Sequence, residues 1–362
     1  MRVVVTGTRG IPAIQGGVET HCEELFPRLV KMGVDVSVVR RSCYIPPEDN
    51  LKEYKGVKLK TIYAPHNKNL EAIIHTFLAI LWAKGNKAEI IHIHAIGPGI
   101  MVPFARLLGL KVVFTHHGPD YDRKKWGRVA RFFLKTGEKF AASYADEVIV
   151  ISGVIRNLLA EKYSRNDTNL IFNGVSDPVV SLNTDFIASL ELESRKYVFT
   201  LGRFVEEKGF DLLIRAFSNV KYKDYKLVIA GDSDHETEYS RKLKDLARDN
   251  NVVLTGFIKG EKLYQLFSHA SLFVLPSFHE GLPISLLEAM SYRLPVLVSD
   301  IAANRQIALS EDRFFITGNE FSLNERLSHH LSLGYKSVDY DMTEYNWDRI
   351  ALQTKHVYER II

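Results

Sequence analysis

Two doubly wound α/β domains are what this sequence predicts, and three observations carry the expectation. Short apolar runs alternate with longer segments of helical periodicity, the pattern of parallel β-α-β units. The alternation restarts at Tyr197 after a polar stretch, Ser176 to Lys196, that reads as a linker. And 362 residues are too many for one ordinary core.

In order, Val3 to Thr6 reads as the first strand, followed by the loop GTRGIPAIQGG from Gly7 to Gly17. A helix follows over Val18 to Met32, because Val18, Cys22, Leu25 and Leu29 recur at helical spacing. Pro27 should kink it or displace one backbone bond. Val34 to Val39 is a strand, Ser42 to Gly56 a long polar loop, and Val57 to Tyr63 a strand. Leu70 to Lys84 is helical, Glu89 to His94 a strand, Val102 to Leu108 a short helix and Lys111 to Thr115 a strand. Lys124 to Tyr144 is a basic amphipathic helix; Glu147 to Ile151 and Leu170 to Phe172 close the first domain before the turn Asn173-Gly174.

The second half repeats the scheme. Strands are expected at Val198 to Leu201, Lys226 to Ala230, Val252 to Gly256, Leu272 to Pro276 and Val296 to Val298. Helices are expected at Phe210 to Val220, Tyr239 to Arg248, Glu261 to Ser268, Pro283 to Tyr292 and, at the end, Tyr345 to Ile362. In open parallel sheets ligands sit beyond the carboxyl ends of strands. The loops there begin at Gly7, His94, His116, Gly202, Gly231, Gly256 and Ser277, where the unusual polar residues lie.

Composition narrows the function classes. A formal charge of +4 is too small to imply nucleic acid by itself. Two cysteines, Cys22 and Cys43, exclude a disulfide scaffold and suit a reducing compartment, so a cytoplasmic location is expected. The amino terminus enters the strand-like Val3-Val4-Val5 without a signal-like segment. The most apolar region, Ile90 to Phe114, is broken by His92, His94, Gly97-Pro98-Gly99, Arg106 and Lys111, so no membrane span is expected.

Chemistry concentrates in Leu272 to Asp300, where Glu280 stands in a loop beside Gly281 and Glu288 shares a narrow polar helix face with Ser285. An acid on a helix that is otherwise apolar is expensive unless hydroxyls donate to it. Read alone, Glu280 is either a helix-capping acid or a ligand contact. Arg203 and Lys208 flank a turn after a strand and suit a diphosphate, or form a solvated run with Glu206 and Glu207. Gly16 and Gly17 lack the dinucleotide spacing but permit backbone N–H groups to face an anion. His116 and His117 follow a strand; either contacts a hydroxyl, or both are structural. His92, His94, His116 and His117 sit on neighbouring strand ends, yet no metal-ligand spacing supports zinc, and no metal is expected. The basic helix, with Lys124, Lys125, Arg128, Arg131, Lys135 and Lys139, is either a solvated face or rests on an anionic bilayer.

Taken together, these residues resemble family 4 of the retaining glycosyltransferases, with the two-Rossmann GT-B fold. The resemblance lies in E-x7-E from Glu280 to Glu288, the glycines Gly16-Gly17, T-x-H-G at Thr115 to Gly118, Asn173-Gly174, and G-R…E-K-G at Gly202 to Gly209. The opening GTRGIPAIQGGVET with SDIAANRQ is similar to the subgroup containing rhamnosyltransferases of bacterial surface-polysaccharide assembly. The resemblance implies an acceptor-binding domain of residues 1–177 plus 343–362, a nucleotide-sugar-binding domain of residues 178–342, a cleft between them, and a terminal helix that crosses back.

It also implies roles. Glu280 would bind donor-sugar hydroxyls, Glu288 the ribose, and Arg203 with Lys208 the leaving diphosphate. His117 would contact the sugar near the reaction centre, ahead of His116; Gly16 and Gly17 would admit acceptor or phosphate. N–H groups of Leu286 and Leu287 would add to the phosphate site, and Phe257, Ile258 and Lys259 would contact the base. The expected partners are a nucleotide-diphosphate sugar as co-substrate, a saccharide or lipid-linked saccharide, and an anionic membrane through Lys124 to Lys139; neither a resident cofactor nor nucleic acid is expected. Tyr292-Arg293 departs from the small residues common there. The alternatives are a nucleotide-sugar 2-epimerase, which needs no acceptor, and a noncatalytic nucleotide-sugar-binding scaffold.

Overall fold

The computed structural model of the chain describes residues 1–362 except 47, 50, 68, 69, 123–125, 221–223, 234 and 235. It divides into two compact units, Met1–Gly174 with Tyr345–Ile362, and Val175–Glu344.

The first unit is built on β1 (Arg2–Thr6), β2 (Asp35–Arg41), β3 (Glu53–Tyr54), β4 (Val57–Ile62), β5 (Ile90–His94), β6 (Lys111–His116), β7 (Glu147–Val150) and β8 (Asn169–Leu170). Their order is β3-β4-β2-β1-β5-β6-β7-β8; β3 pairs antiparallel with β4 and the other pairings are parallel. Its helices are α1 (Gly17–Lys31), α2 (Glu71–Gly85), α3 (Val102–Leu107), α4 (Arg128–Tyr144) and α5 (Gly153–Tyr163). Pro27 is accommodated inside α1, which buries Cys22, Leu25, Phe26 and Leu29 on one side.

Three expectations need correction here. The polar stretch Ser42 to Gly56 contains β3, whose two residues pair onto the edge strand β4 without any alternating pattern of their own. The basic helix starts at Arg128; Lys124 and Lys125 lie outside the described residues. α5 has no counterpart in the periodicity reading, because it buries only Ile155 and Leu159; its start is fixed instead by Ser152, whose hydroxyl accepts from Ile155 N–H at 3.2 Å.

The second unit comprises β9 (Tyr197–Leu201), β10 (Lys226–Ala230), β11 (Val253–Leu254), β12 (Leu272–Leu275), β13 (Val296–Ser299) and β14 (Phe314–Phe315), in the order β11-β10-β9-β12-β13-β14 with parallel pairings. Around them lie α6 (Asp185–Ser189), α7 (Phe210–Ser218), α8 (Glu238–Asp249), α9 (Glu261–His269), α10 (Ile284–Ser291), α11 (Ala302–Arg305) and α12 (Glu320–Leu333). The stretch Ser176 to Lys196, expected as a linker, is largely part of this unit. Ser181 N–H donates to Ser268 Oγ at 2.9 Å and Phe186 N–H to Gln265 Oε1 at 2.9 Å, so α9 side chains satisfy its backbone. Such side-chain-to-backbone bonding leaves no hydrophobic period to read. No expectation covered α11, β14 or α12, although Leu323, Leu327 and Leu331 recur at helical spacing and are buried.

The terminal helix α13 (Trp347–Glu359) belongs to the first unit and packs on α1. Trp347 is buried with Phe26, Leu29 and Val34 in the core of that unit. Tyr358 Oη lies 2.7 Å from His92 Nδ1, both fully buried.

Strand order fixes where ligands can bind. In the first sheet the order reverses between β1 and β5; in the second it reverses between β9 and β12. Loops diverge at such reversals and leave a crevice at the carboxyl edge.

One glycine marks a close approach. Gly137 sits inside α4, where a Cβ would stand 2.1 Å from Ile96 O and 3.1 Å from Ile100 N. Helix propensity alone favours alanine there by about 1 kcal/mol. Backbone atoms cannot yield as a side chain can, so overpacking of ~1–3 kcal/mol or more prevails. Gly137→Ala is expected to destabilise the first unit by ~1–2 kcal/mol net in urea unfolding; an alanine variant as stable as the parent would refute the close contact.

Candidate functional site

In the second unit, β9 runs into Gly202-Arg203 and a 3-10 turn, Glu206–Lys208. β12 runs into the Ser277 to Gly281 loop. Because the two strands are neighbours, the loops meet. Phe278 N–H donates to Glu207 O at 2.8 Å, and Lys208 Nζ lies 2.6 Å from Glu280 Oε1. The pair is mostly buried, with side chains 18% and 11% exposed. A second tier holds the loop from below: Ser299 Oγ donates to Ser277 O at 2.5 Å, and Asn304 Nδ2 donates to Ser299 O at 2.9 Å. All three residues are buried. Sequence reasoning missed this support; its one signal is small polar residues at the ends of consecutive apolar strands.

α10 begins beside Glu280, and here an expectation is corrected. The N–H groups of Leu286 and Leu287 already donate to Pro283 O, at 3.2 and 3.3 Å. The first-turn donors that the helix itself leaves unpaired are those of Ile284 and Ser285. Glu288 is half-buried rather than sunken and shares its side of α10 with Ser285. It stands about 6 Å along the axis from Ile284, at 1.5 Å per residue. Arg203 is half-buried at the end of β9; Phe257 is exposed and Ile258 half-buried just beyond β11. Gly231 bridges to Gly256, tying the loops after β10 and β11 together. Arg203, Lys208, Phe257, Ile258, Glu280 and the start of α10 thus all lie at one edge of one sheet.

In the first unit the glycine loop differs from expectation. Gly16 takes φ 152°, and a Cβ there would stand 2.0 Å from Glu19 Oε2. Glu19 is buried; its Oε1 accepts from Thr8 Oγ1 at 3.2 Å and Arg9 N–H at 3.0 Å. An internal carboxylate therefore already lies against the start of α1. Gly16 is required by that carboxylate, whereas Gly17 is exposed with nothing within 4 Å of a Cβ.

Three buried histidines, His21, His92 and His94, and the half-buried His117 form a row across α1, β5 and the end of β6. His92 Nε2 lies 2.7 Å from Thr115 Oγ1, and His94 Nδ1 lies 2.9 Å from His117 Nε2. His94 is paired in register with Thr115, so each β5 histidine reaches the β6-chain residue two positions beyond its own partner. His21 Nδ1 faces Asn173 Oδ1 at 3.0 Å, and its ring stands edge-on to His117 with centroids 5.0 Å apart. Burial lowers the His21 pKa to about 4 and that of His92 to about 3, and pushes His94 and His117 well below the usual imidazole range. His116 points elsewhere. Gly118 N–H donates to its Nδ1 at 3.1 Å, so its Nε2–H donates to Glu138 Oε1 at 2.9 Å. Burial raises the Glu138 carboxyl, but hydrogen bonds from His116 and Tyr163 outweigh it and hold the pKa below its ordinary value.

The nitrogens of His21, His94 and His117 lie within 4.8 Å of one another, the grouping among the described residues with metal-ligand spacing. The grouping differs from the four strand-end histidines, for which no metal was expected: His92 and His116 are engaged by Tyr358, Thr115 and Glu138, and His21 enters from α1.

The chain matches two family models in tandem, "Glycosyltransferase Family 4" over residues 15–177 and "Glycosyl transferases group 1" over residues 183–342. It is 25% identical to an uncharacterized glycosyltransferase of Methanocaldococcus jannaschii across 99% of this chain and 98% of that one. Among solved structures it is similar to a sucrose-phosphate synthase from Thermosynechococcus elongatus, with TM-score 0.80, 20% identity and coverage of 99% and 98%. It is also similar to Anabaena HepE in complex with UDP-glucose, with TM-score 0.77, 14% identity and coverage of 99% and 100%.

Proposed function

We propose, for a chain that belongs to the GT-B glycosyltransferases through both of its halves, that it moves a sugar from a nucleotide-sugar donor to a saccharide or lipid-linked saccharide with retention of configuration. The expected setting is surface-polysaccharide assembly, with dTDP-rhamnose or a UDP-sugar as donor. The observation that carries this reading is the Lys208–Glu280 pair beside the first turn of α10, at the β9/β12 reversal.

Each group then has a task. The carboxylate of Glu280 accepts from donor-sugar hydroxyls and sets the anomeric carbon. Lys208 and Arg203 stabilise the negative charge that grows on the leaving diphosphate. N–H groups of Ile284 and Ser285 add dipoles of the same sign. Glu288, about 6 Å further along α10, accepts from ribose hydroxyls. Phe257 and Ile258 meet the base. In the first unit, His117 contacts the sugar. The acceptor attacks from the leaving-group face, and the departing phosphate takes its proton. A screen of nucleotide sugars with saccharide and lipid-linked acceptors tests this, with the anomeric configuration of the product read by NMR. Conversion of the donor without acceptor would instead identify an epimerase, and an inverted product would remove the retaining assignment.

We also propose that α4 rests on an anionic bilayer. Val129 and Phe132 are 71% and 67% exposed, interleaved with exposed Arg128, Arg131, Lys135 and Lys139, while Gly137, Glu138, Ala141 and Ala142 face the unit. Among the described residues no helix is long and apolar enough to cross a membrane. Cations near an anionic surface contribute about 1 kcal/mol each, so Arg128→Gln, Arg131→Gln and Lys135→Gln together should weaken vesicle binding roughly 100-fold. Sedimentation with vesicles of anionic and neutral phospholipid checks this; equal binding to both would dismiss the bilayer.

A further inference from the structure

We infer that His94 is a positioning residue: it donates Nδ1–H to His117 Nε2 and thereby fixes His117 as an N–H donor at Nδ1. The inference rests on the reading of His117 as a sugar contact. It goes beyond that reading in stating what His117 offers the sugar and what it cannot do.

The 2.9 Å contact joins one N–H to one lone pair. With both rings neutral, each has a single proton, and burial holds both pKa values well below 6.5. Two arrangements exist. If His117 donated, the His94 proton would sit on Nε2, which is buried without a hydrogen-bond partner. That would orphan an N–H. If His94 donates, the group left unpaired at Nε2 is only a lone pair. Buried orphan donors are the rarer of the two in folded proteins. The second arrangement therefore holds, and His117 carries its proton on Nδ1.

The surroundings keep His94 in place. His92 lies against it with centroids 4.2 Å apart, itself anchored by Tyr358 of α13 and by Thr115. Phe26 packs edge-to-face on it at 5.7 Å. His21 is turned by Asn173: its Nδ1–H meets Oδ1 at 3.0 Å, so its Nε2 is a lone pair and supplies no competing donor.

The consequence is chemical. His117 presents an N–H, and its other lone pair is occupied, so it donates to a sugar oxygen and cannot act as the base that removes the acceptor proton. A metal ion held through the facing nitrogens of His94 and His117 together with His21 is the competing arrangement; it would need a lone pair on both His94 Nδ1 and His117 Nε2, and the hydrogen bond leaves neither free.

The test is 15N-histidine NMR on the ligand-free full chain, with His117→Ala to assign the signal. Protonation of His117 at Nδ1 and not Nε2 is expected. In His94→Ala the His117 signal should become a tautomer mixture, and transfer should fall about tenfold, the scale of one hydrogen bond, with nucleoside diphosphate affinity unchanged. His94→Asn, whose amide N–H reaches about as far as Nδ1, should restore both. His117 protonated at Nε2, an unchanged signal in a folded His94→Ala variant, or stoichiometric zinc retained by the three histidines would each overturn the inference. A His117→Ala variant that transfers at the parental rate would remove the sugar-contact reading alone, since the tautomer is read without substrate.

Discussion

Glu280→Gln is expected to lower kcat/KM for transfer by roughly 10²–10³-fold while tightening nucleoside diphosphate binding about tenfold. The opposite signs follow from the ligand-free geometry. Lys208 Nζ is paired to Glu280 Oε1 at 2.6 Å, and both side chains are mostly buried. Each neutralises the other until a substrate arrives. An incoming diphosphate meets an ammonium whose field is partly cancelled by its neighbour. Removing the carboxylate charge restores that field, so the product binds better. The same change deprives the donor sugar of its hydroxyl acceptor, so transfer suffers. Lys208→Ala should instead weaken diphosphate binding and lower transfer together. It also leaves a carboxylate 11% exposed without its cation, which costs ~3–5 kcal/mol when a buried pair is broken, so thermal unfolding accompanies the kinetics. Calorimetric titration with the nucleoside diphosphate decides the matter. If both variants lose affinity to the same extent, the pair is a structural ion pair and the assignment of the site fails.

Acid should unfold the first unit near pH 5 while the second unit remains folded. Burial lowers His21 and His75 to about 4, the latter aided by the Arg41 guanidinium, and lowers His92 to about 3. In the unfolded chain each titrates near 6.5. Below that pH the unfolded state binds more protons than the native state, so stability falls as pH falls. The loss is about 1.4 kcal/mol per pH unit for each group, down to its native pKa. At pH 5 the three together remove ~6 kcal/mol, comparable to the whole stability of a domain. His94 and His117 shift in the same direction. In the second unit, among the described residues, His269 and His330 are also lowered by burial but by smaller shifts, so less stability is lost there. Trp82, Trp126 and Trp347 all belong to the first unit, so tryptophan fluorescence reports that unit alone. His75 has both ring nitrogens buried without a hydrogen-bond partner. Its replacement by leucine should therefore move the acid midpoint downward. A fluorescence transition whose urea midpoint is the same at pH 7 and pH 5 would contradict the argument.

Most of the fold was legible because its strands are short, apolar and punctuated. β1, β5, β9 and β12 are buried along nearly their whole length and stand out as apolar runs. Several segments that escaped owe their order to polar contacts. α6 is secured by Gln265 of α9, the stretch before it by Ser268, and α5 by a serine cap. Among the candidate residues, Glu280, Arg203, Lys208 and His117 were readable as residue types at strand ends, and Glu288 as an acid on an otherwise apolar helix. The assignments that shifted concern backbone donors. Leu286 and Leu287 are spent on Pro283 O, and Gly16 serves Glu19. A sequence does not show where a helix makes its first bond.

The sequence by itself determined the alternating elements, the restart at Tyr197 and which polar residues stand where strands end, because each is written in a few consecutive residues. Only the tertiary structure decided which strand ends are neighbours. That order brings Lys208 to Glu280 across 72 residues, His94 to His117 across 23, and Tyr358 of the last helix to His92 across 266. The reason is physical: periodicity records which face of an element is apolar, whereas strand order is set by crossovers that bury all those faces at once.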